Sequence, residues 1–148
     1  MVQLTPEQFE TIQRRLDILR VEAGDIPRFA TMTQAEYVTN RDRRGSLERM
    51  VENILNAATD ISKVVLTAMD LPAPDSYRQT MLQLGMSGLL PSATAAKLAE
   101  MTRLRNILAH EYLDIRWESL RAFLQEAPSV VNEFIQIIEH LLTINTVS

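Results

Sequence analysis

The sequence predicts an all-α protein, a bundle of about five helices, on three observations. Glycine and proline are scarce, four and six among 148 residues. Leu, Ile, Val, Met and Ala recur at three- and four-residue spacing, the period of a helix with one buried face. Ser, Thr and Pro stand where N-caps and first helical positions belong. A chain of this length buries a core without disulfides or metal, so residues 1–148 are read as one domain.

The first helix is announced by Thr5, Pro6 and Gln8: an N-cap, a proline whose missing N–H costs nothing at the first position, and a capping-box partner. Phe9, Ile12, Leu16, Leu19 and Ala23 form its apolar stripe, and Gly24 to Pro27 end it. Thr33 and Glu36 suggest a second capping box, opening a helix that runs through NRDRRGSLERM, with Gly45 as the place to bend or break. Leu47, Met50, Val51, Ile54, Leu55, Ala58, Ile61, Val65 and Met69 carry its apolar face to about Asp70.

LPAPD is a loop, and Ser76 to Leu84 a short helix stopped by GMSG. Pro91 and Ser92 start a helix through Leu98, Met101, Leu104 and Leu108 that reaches His110. A last helix spans Trp117 to Leu142, bent or split by Pro128.

With no cysteine, thiolate nucleophiles, thiol redox chemistry and cysteine zinc sites are excluded. No apolar run reaches the about eighteen residues of a membrane span, and MVQLTPEQFE lacks signal-peptide character, so a cytoplasmic chain without membrane contact is expected. The net charge of −4 argues against broad adhesion to nucleic acid, although a local basic patch can still hold a phosphate backbone. The two histidines, His110 and His140, lie far apart with no HExxH-type cluster, so neither a metal site nor a cofactor is expected.

The chemistry concentrates in RNILAHEY, residues 105–112. One helical turn separates Asn106 from His110 on a shared face, with Arg105 adjacent. Arginine binds phosphate oxygens through a fixed fork of donors and histidine moves protons near neutral pH, so a phosphodiester substrate suits the set. Tyr112 would point away on a continuous helix, but an end near His110 could turn it back towards the same pocket. The same spacing also describes an arginine and histidine that merely interact with the last carbonyls of a helix. Glu48, Glu52 and Asp60 on the long helix could face His110 across the bundle. Arg41, Arg43, Arg44 and Arg49 could steer RNA, with Arg103, Arg116 and Arg121 extending that surface. Aromatic residues are too sparse for an evident base-stacking platform.

Arg105, four residues, His110, one residue, Tyr112 resembles the signature of HepT-like toxins in the HEPN ribonuclease superfamily. ENILNAATDISKVV, PDSYRQTMLQLGMSGLLP and MTRLRNILAHEYLDI extend the likeness over most of the chain from about Leu47 to Leu142. The resemblance implies a HEPN-type bundle that dimerises around the motif helix. It also implies the toxin of a type VII HepT/MntA-like toxin–antitoxin pair, a metal-independent endoribonuclease with Arg105 and His110 at the cleavage site; by its own chemistry Asn106 would orient His110 or the phosphate there, and whether the RNA is tRNA or mRNA stays open. The partner implied is a nucleotidyltransferase antitoxin of the MntA kind that adds AMP to Tyr112. A second reading is a non-catalytic helical subunit that serves such a transferase as partner and substrate-binding subunit. A third is a helical scaffold whose polar motif only caps a helix.

Overall fold

A computed structural model describes residues 2–145. Seven α-helices follow in order: α1 (Pro6–Gly24), α2 (Gln34–Thr39), α3 (Arg41–Ala68), α4 (Tyr77–Met86), α5 (Ser92–Met101), α6 (Leu104–His110) and α7 (Leu113–Asn145). A 3-10 turn at Ile26–Phe29 joins α1 to α2, and no strand occurs among the described residues. The expected all-α architecture is present. The five expected helices become seven because two of them are interrupted.

The first interruption is at Asn40, not Gly45. Thr33 caps α2 by accepting from the Glu36 N–H, and Asn40 is extended, accepts from the Arg43 N–H and starts α3 afresh. Gly45 is an ordinary interior residue of α3. The second is at Thr102–Arg103. The Thr102 hydroxyl donates to the Ala99 carbonyl at 2.5 Å, and successive N–H groups reach back only three residues, Arg103 to Glu100, Arg105 to Thr102 and Asn106 to Arg103. Such tight turns re-aim a chain, so the motif sits on a seven-residue helix of its own. Pro128 does not split α7, which also begins four residues earlier than expected, at Leu113. The α4 helix runs through Gly85, past its expected end, to Met86.

Three long helices form the frame. Arg15 pairs with Asp60 and Asn53 donates to Glu22, so α1 and α3 run antiparallel. Leu4 donates to the Asn145 side chain and Arg20 pairs with Glu139, which sets α7 antiparallel to α1 and therefore along α3. Between them lie Ile12, Leu16 and Leu19 of α1, Leu47, Val51, Ile54, Ile61 and Val65 of α3, and Leu120, Phe134 and Ile138 of α7, all essentially without solvent contact. At roughly 1.5–3 kcal/mol per buried large apolar side chain, this shared core is the main force holding the frame.

The shorter α4 and α5 form a hairpin. A Cβ on Gly85 would lie 2.5 Å from the Ala95 Cβ, so only glycine permits their approach. The turn between them uses Gly88 at φ +88, a left-handed conformation that suits glycine. The hairpin brings the first turn of α4 beside the start of α6.

Candidate active site

The α6 helix is anchored by Leu104 and Leu108, both buried, which leaves its other faces to solvent. Arg105, Asn106 and His110 are all exposed on it, and Asn106 and His110 share a face one turn apart, as the spacing predicted. The helix ends at His110, and Glu111 is extended. Tyr112 follows in the turn into α7 and is 82% exposed.

The Arg105 guanidinium lies 3.8 Å from the centroid of the Tyr77 ring. Tyr77 is itself fixed, its hydroxyl donating to Asn56 Oδ1 at 2.9 Å from the middle of α3. Stacking uses the face of the guanidinium and leaves its in-plane N–H donors unspent. Among the described residues the side chains of Arg105, Asn106, His110 and Tyr112 make no hydrogen bond or ion pair. The reading in which Arg105 and His110 serve only to satisfy terminal carbonyls therefore lacks its hydrogen bonds.

Arg105 and Asn106 open into a groove of about 430 Å³ with Tyr77, Arg78, Thr102 and Arg103. His110 and Tyr112 do not line it. The expectation that the chain would turn Tyr112 back into a pocket shared with Arg105 is not met within one chain, because the turn at Glu111 sends Tyr112 outward instead.

A second cluster holds that turn. Glu48 reaches across the bundle, as expected of it, but to Arg116 and not to His110. The Glu48 carboxylate accepts from the hydroxyl of fully buried Tyr37 and from Arg116 at 3.4 Å. The Arg116 Nε donates to the Glu111 carbonyl at 2.8 Å, so the chain just past His110 is tied through α7 to α3. Burial, and then the neighbouring carboxylate, push the Tyr37 phenol well above its usual range, against a smaller opposing pull from Arg116. The Trp117 ring packs 5.4 Å from that of Tyr37.

The expected RNA-steering arginines separate by what they touch. Arg43 pairs with Glu36, donates to the Arg28 carbonyl and lies over Phe29. Arg44 donates to the carbonyls of Tyr37 and Val38, and Arg116 is engaged as above with 24% of its side chain exposed. Arg103 pairs with Glu100 at 2.6 Å, and Arg121 with Glu118. Only Arg41 and Arg49 of the N-terminal stretch hold no such partner. Asp60 is occupied by Arg15, while Glu52 is exposed. His140 lies exposed on α7. Among the described residues no group of three His, Asp or Glu is arranged to hold a metal ion, and no helix is long and apolar enough to cross a membrane.

Sequence reasoning missed Tyr77 and Arg78 as site residues. The cap at Ser76 located their helix, but nothing local reveals that its first turn lies against Arg105, 28 residues away.

Comparison with known proteins bears on the family and the fold. A family model described as ribonuclease HepT-like matches residues 9–138. A tRNA nuclease HepT of Aphanizomenon flos-aquae is 26% identical over 137 residues, covering 90% of this chain and 91% of that protein. A chain in a crystal structure of an MntA toxin–antitoxin complex superposes with a TM-score of 0.77 at 18% identity, covering 88% of this chain and 98% of that one. A tri-AMPylated Shewanella oneidensis HEPN toxin in complex with its MNT antitoxin superposes with a TM-score of 0.64 at 20% identity, over 90% and 95% of the respective chains.

Proposed function

This chain belongs to the HepT-like ribonuclease family, and on that premise we propose that it is a metal-independent endoribonuclease, the toxin of a two-component toxin–antitoxin system. The observation that carries the reading is the idle chemistry of the motif. The side chains of Arg105, Asn106, His110 and Tyr112 are exposed, and their polar atoms are hydrogen-bonded to nothing among the described residues. Only buried polar groups need a partner within the fold; these are at the surface with their donors unspent, and their types and spacing suit a phosphodiester ligand.

In the proposed reaction one His110 takes the proton of a ribose 2'-hydroxyl as its oxygen attacks the adjacent phosphorus. A second His110 gives a proton to the departing 5'-oxygen as the P–O5' bond breaks. Arg105 holds the charge that builds on the phosphorane, and Asn106 orients His110 or the phosphate. The products are a 2',3'-cyclic phosphate and a free 5'-hydroxyl. One histidine cannot stand on both sides of one phosphate, so a two-fold homodimer pairing two α6 helices supplies both. Half-buried Ile107 on that helix, with exposed Tyr112 and Ile115 just past its end, supplies apolar surface for such a contact.

The same reading makes Tyr112 the acceptor of AMP from an MntA-type nucleotidyltransferase. Its exposure suits a substrate of another enzyme, and the AMPylated Shewanella oneidensis toxin is the precedent. The added phosphodiester would compete as a tethered anion for the guanidinium of Arg105.

Cleavage of total tRNA by the purified protein in EDTA tests the catalytic reading. The wild type should produce cyclic-phosphate ends, and His110→Ala should lose about 10²–10⁴-fold in rate, the usual contribution of a general acid–base group. Equal cleavage by both proteins would overturn the catalytic assignment. Cleavage by neither, with stable capture of the transferase, would favour the non-catalytic binding subunit.

A further inference from the structure

We propose that the groove between the first turn of α4 and the start of α6 is a second phosphate subsite on RNA. In it Arg78, with Arg103, holds the backbone phosphate next to the one engaged by Arg105. The inference rests on the ribonuclease reading for the identity of its ligand, and on the distribution of unpaired charge for its location.

The chain is acidic, and the folded structure spends most of its arginines. Those that hold neither a hydrogen bond nor an ion pair among the described residues are Arg41, Arg49, Arg78 and Arg105. Two of these, Arg78 and Arg105, line the same groove. Arg105 is steadied there by the Tyr77 ring and not by a carboxylate, so its position is set while its charge stays uncompensated. Arg78 is the next residue along α4. Arg103 adds a third guanidinium, shared with Glu100 at the exposed rim. A groove with two free and one shared guanidinium beside Asn106 fits an extended polyanion better than a single small anion. Phosphate contacts of this kind fix register and contribute affinity without reading sequence.

Asp75 also lines the groove, holds no partner and opposes an anion there. That gives the proposal two signs to test. Removing Arg78 should weaken RNA binding, and removing the Asp75 charge should strengthen it.

The experiment measures binding of fluorescein-labelled total tRNA by anisotropy across a salt series, using full-length protein in a His110→Ala background so that nothing is cleaved. Arg78→Gln should weaken binding about five- to tenfold and make the slope of log affinity against log salt shallower by about 1. Arg78→Lys, which keeps the charge, should restore most of the loss, and Asp75→Asn should tighten binding. Arg14→Gln, an equal charge change on exposed α1, should leave the slope alone.

Equal losses for Arg78→Gln and Arg14→Gln would reduce the effect to net charge and overturn the subsite. Unchanged tRNA binding, or none by the parent, would overturn it too. Loss of co-purification with the transferase in place of loss of RNA binding would assign the groove to the protein partner instead. These outcomes do not depend on cleavage. A chain that fails to cut RNA can still pass this test, and one that cuts RNA can still fail it.

Discussion

Two arginine-bearing stretches of similar appearance, residues 41–49 at the start of α3 and residues 103–112 around α6, are put to opposite uses. In the first, Arg43 and Arg44 are mortar: they bind Glu36 and the carbonyls of Arg28, Tyr37 and Val38, and lie over the rings of Phe29 and Tyr37. These contacts close the end of the bundle where α2 meets α3. In the second, the Arg105 guanidinium is steadied by a ring and otherwise unspent, and the side chains of Asn106, His110 and Tyr112 bond to nothing among the described residues. On the proposed reading, Arg43 and Arg44 are marked as structural by their internal partners and Arg105 is left to a ligand by having none, although Arg41 and Arg49 of the first stretch also lack one among the described residues.

The sharpest way to break the comparison is to remove one arginine from each stretch. Arg105→Ala should lower tRNA cleavage by about 10²–10³-fold, the usual effect of removing a donor that stabilises transition-state charge. The fold loses only a ring contact of about 0.5–1 kcal/mol. Arg44→Ala should do the reverse. Two carbonyl bonds and a ring contact disappear at a cost of about 1–3 kcal/mol, while cleavage per folded molecule stays within about twofold of wild type, about 0.4 kcal/mol in transition-state stabilisation. Thermal unfolding and initial rates on the same preparations check both. A large activity loss in Arg44→Ala without loss of stability would erase the distinction.

Glu48 tests the boundary between the two regions, since it ties the α2–α3 end to the chain just past His110. Glu48 and Arg116 are 19% and 24% exposed, so the pair is partly screened, but Glu48→Ala also strands the Tyr37 hydroxyl. A loss of about 1–3 kcal/mol is expected, read as a lower midpoint in thermal unfolding. The double variant with Arg116→Gln should lose less than the sum of the two single losses, because the residues share one network. Additive losses would mean that the contacts do not act together.

Much of the frame was legible because its causes are local. Thr5, Pro6 and Gln8 form both arms of the capping box that their spacing describes, and the apolar stripe of α3 is buried where its period puts it. The interruption at Asn40 was written in the sequence too, since asparagine before RDRR is a good N-cap, but the continuing helical pattern around it masked the signal. The interruption at Thr102 depends on a side chain bonding back to its own helix, which carries no Gly or Pro mark. The site divided in the same way. Arg105, Asn106 and His110 share one short helix and were found by spacing. Tyr77 and Arg78 reach Arg105 and Asn106 only through the α4–α5 hairpin, whose closeness depends on Gly85 against Ala95. Arg116 looked like an RNA contact because its partner Glu48 is 68 residues away.

The smallest expected effect concerns pH and isolates Tyr37 from the motif. Its folded-state pKa is raised, by burial first and by Glu48 second. As pH climbs past about 10, the phenol of the unfolded chain loses its proton while that of the folded chain keeps it. The unfolded state then binds fewer protons, so stability falls as pH rises, by about 0.8 kcal/mol at pH 10.5 for this group alone. Below that window the contribution is fully present. Tyr37→Phe should start less stable near neutrality, having lost the bond to Glu48, and should lack this alkaline decline, so the gap to wild type narrows between about pH 9 and 10.5. Denaturant titrations across that range read the gap directly. A constant gap would show that Tyr37 ionises as easily folded as unfolded.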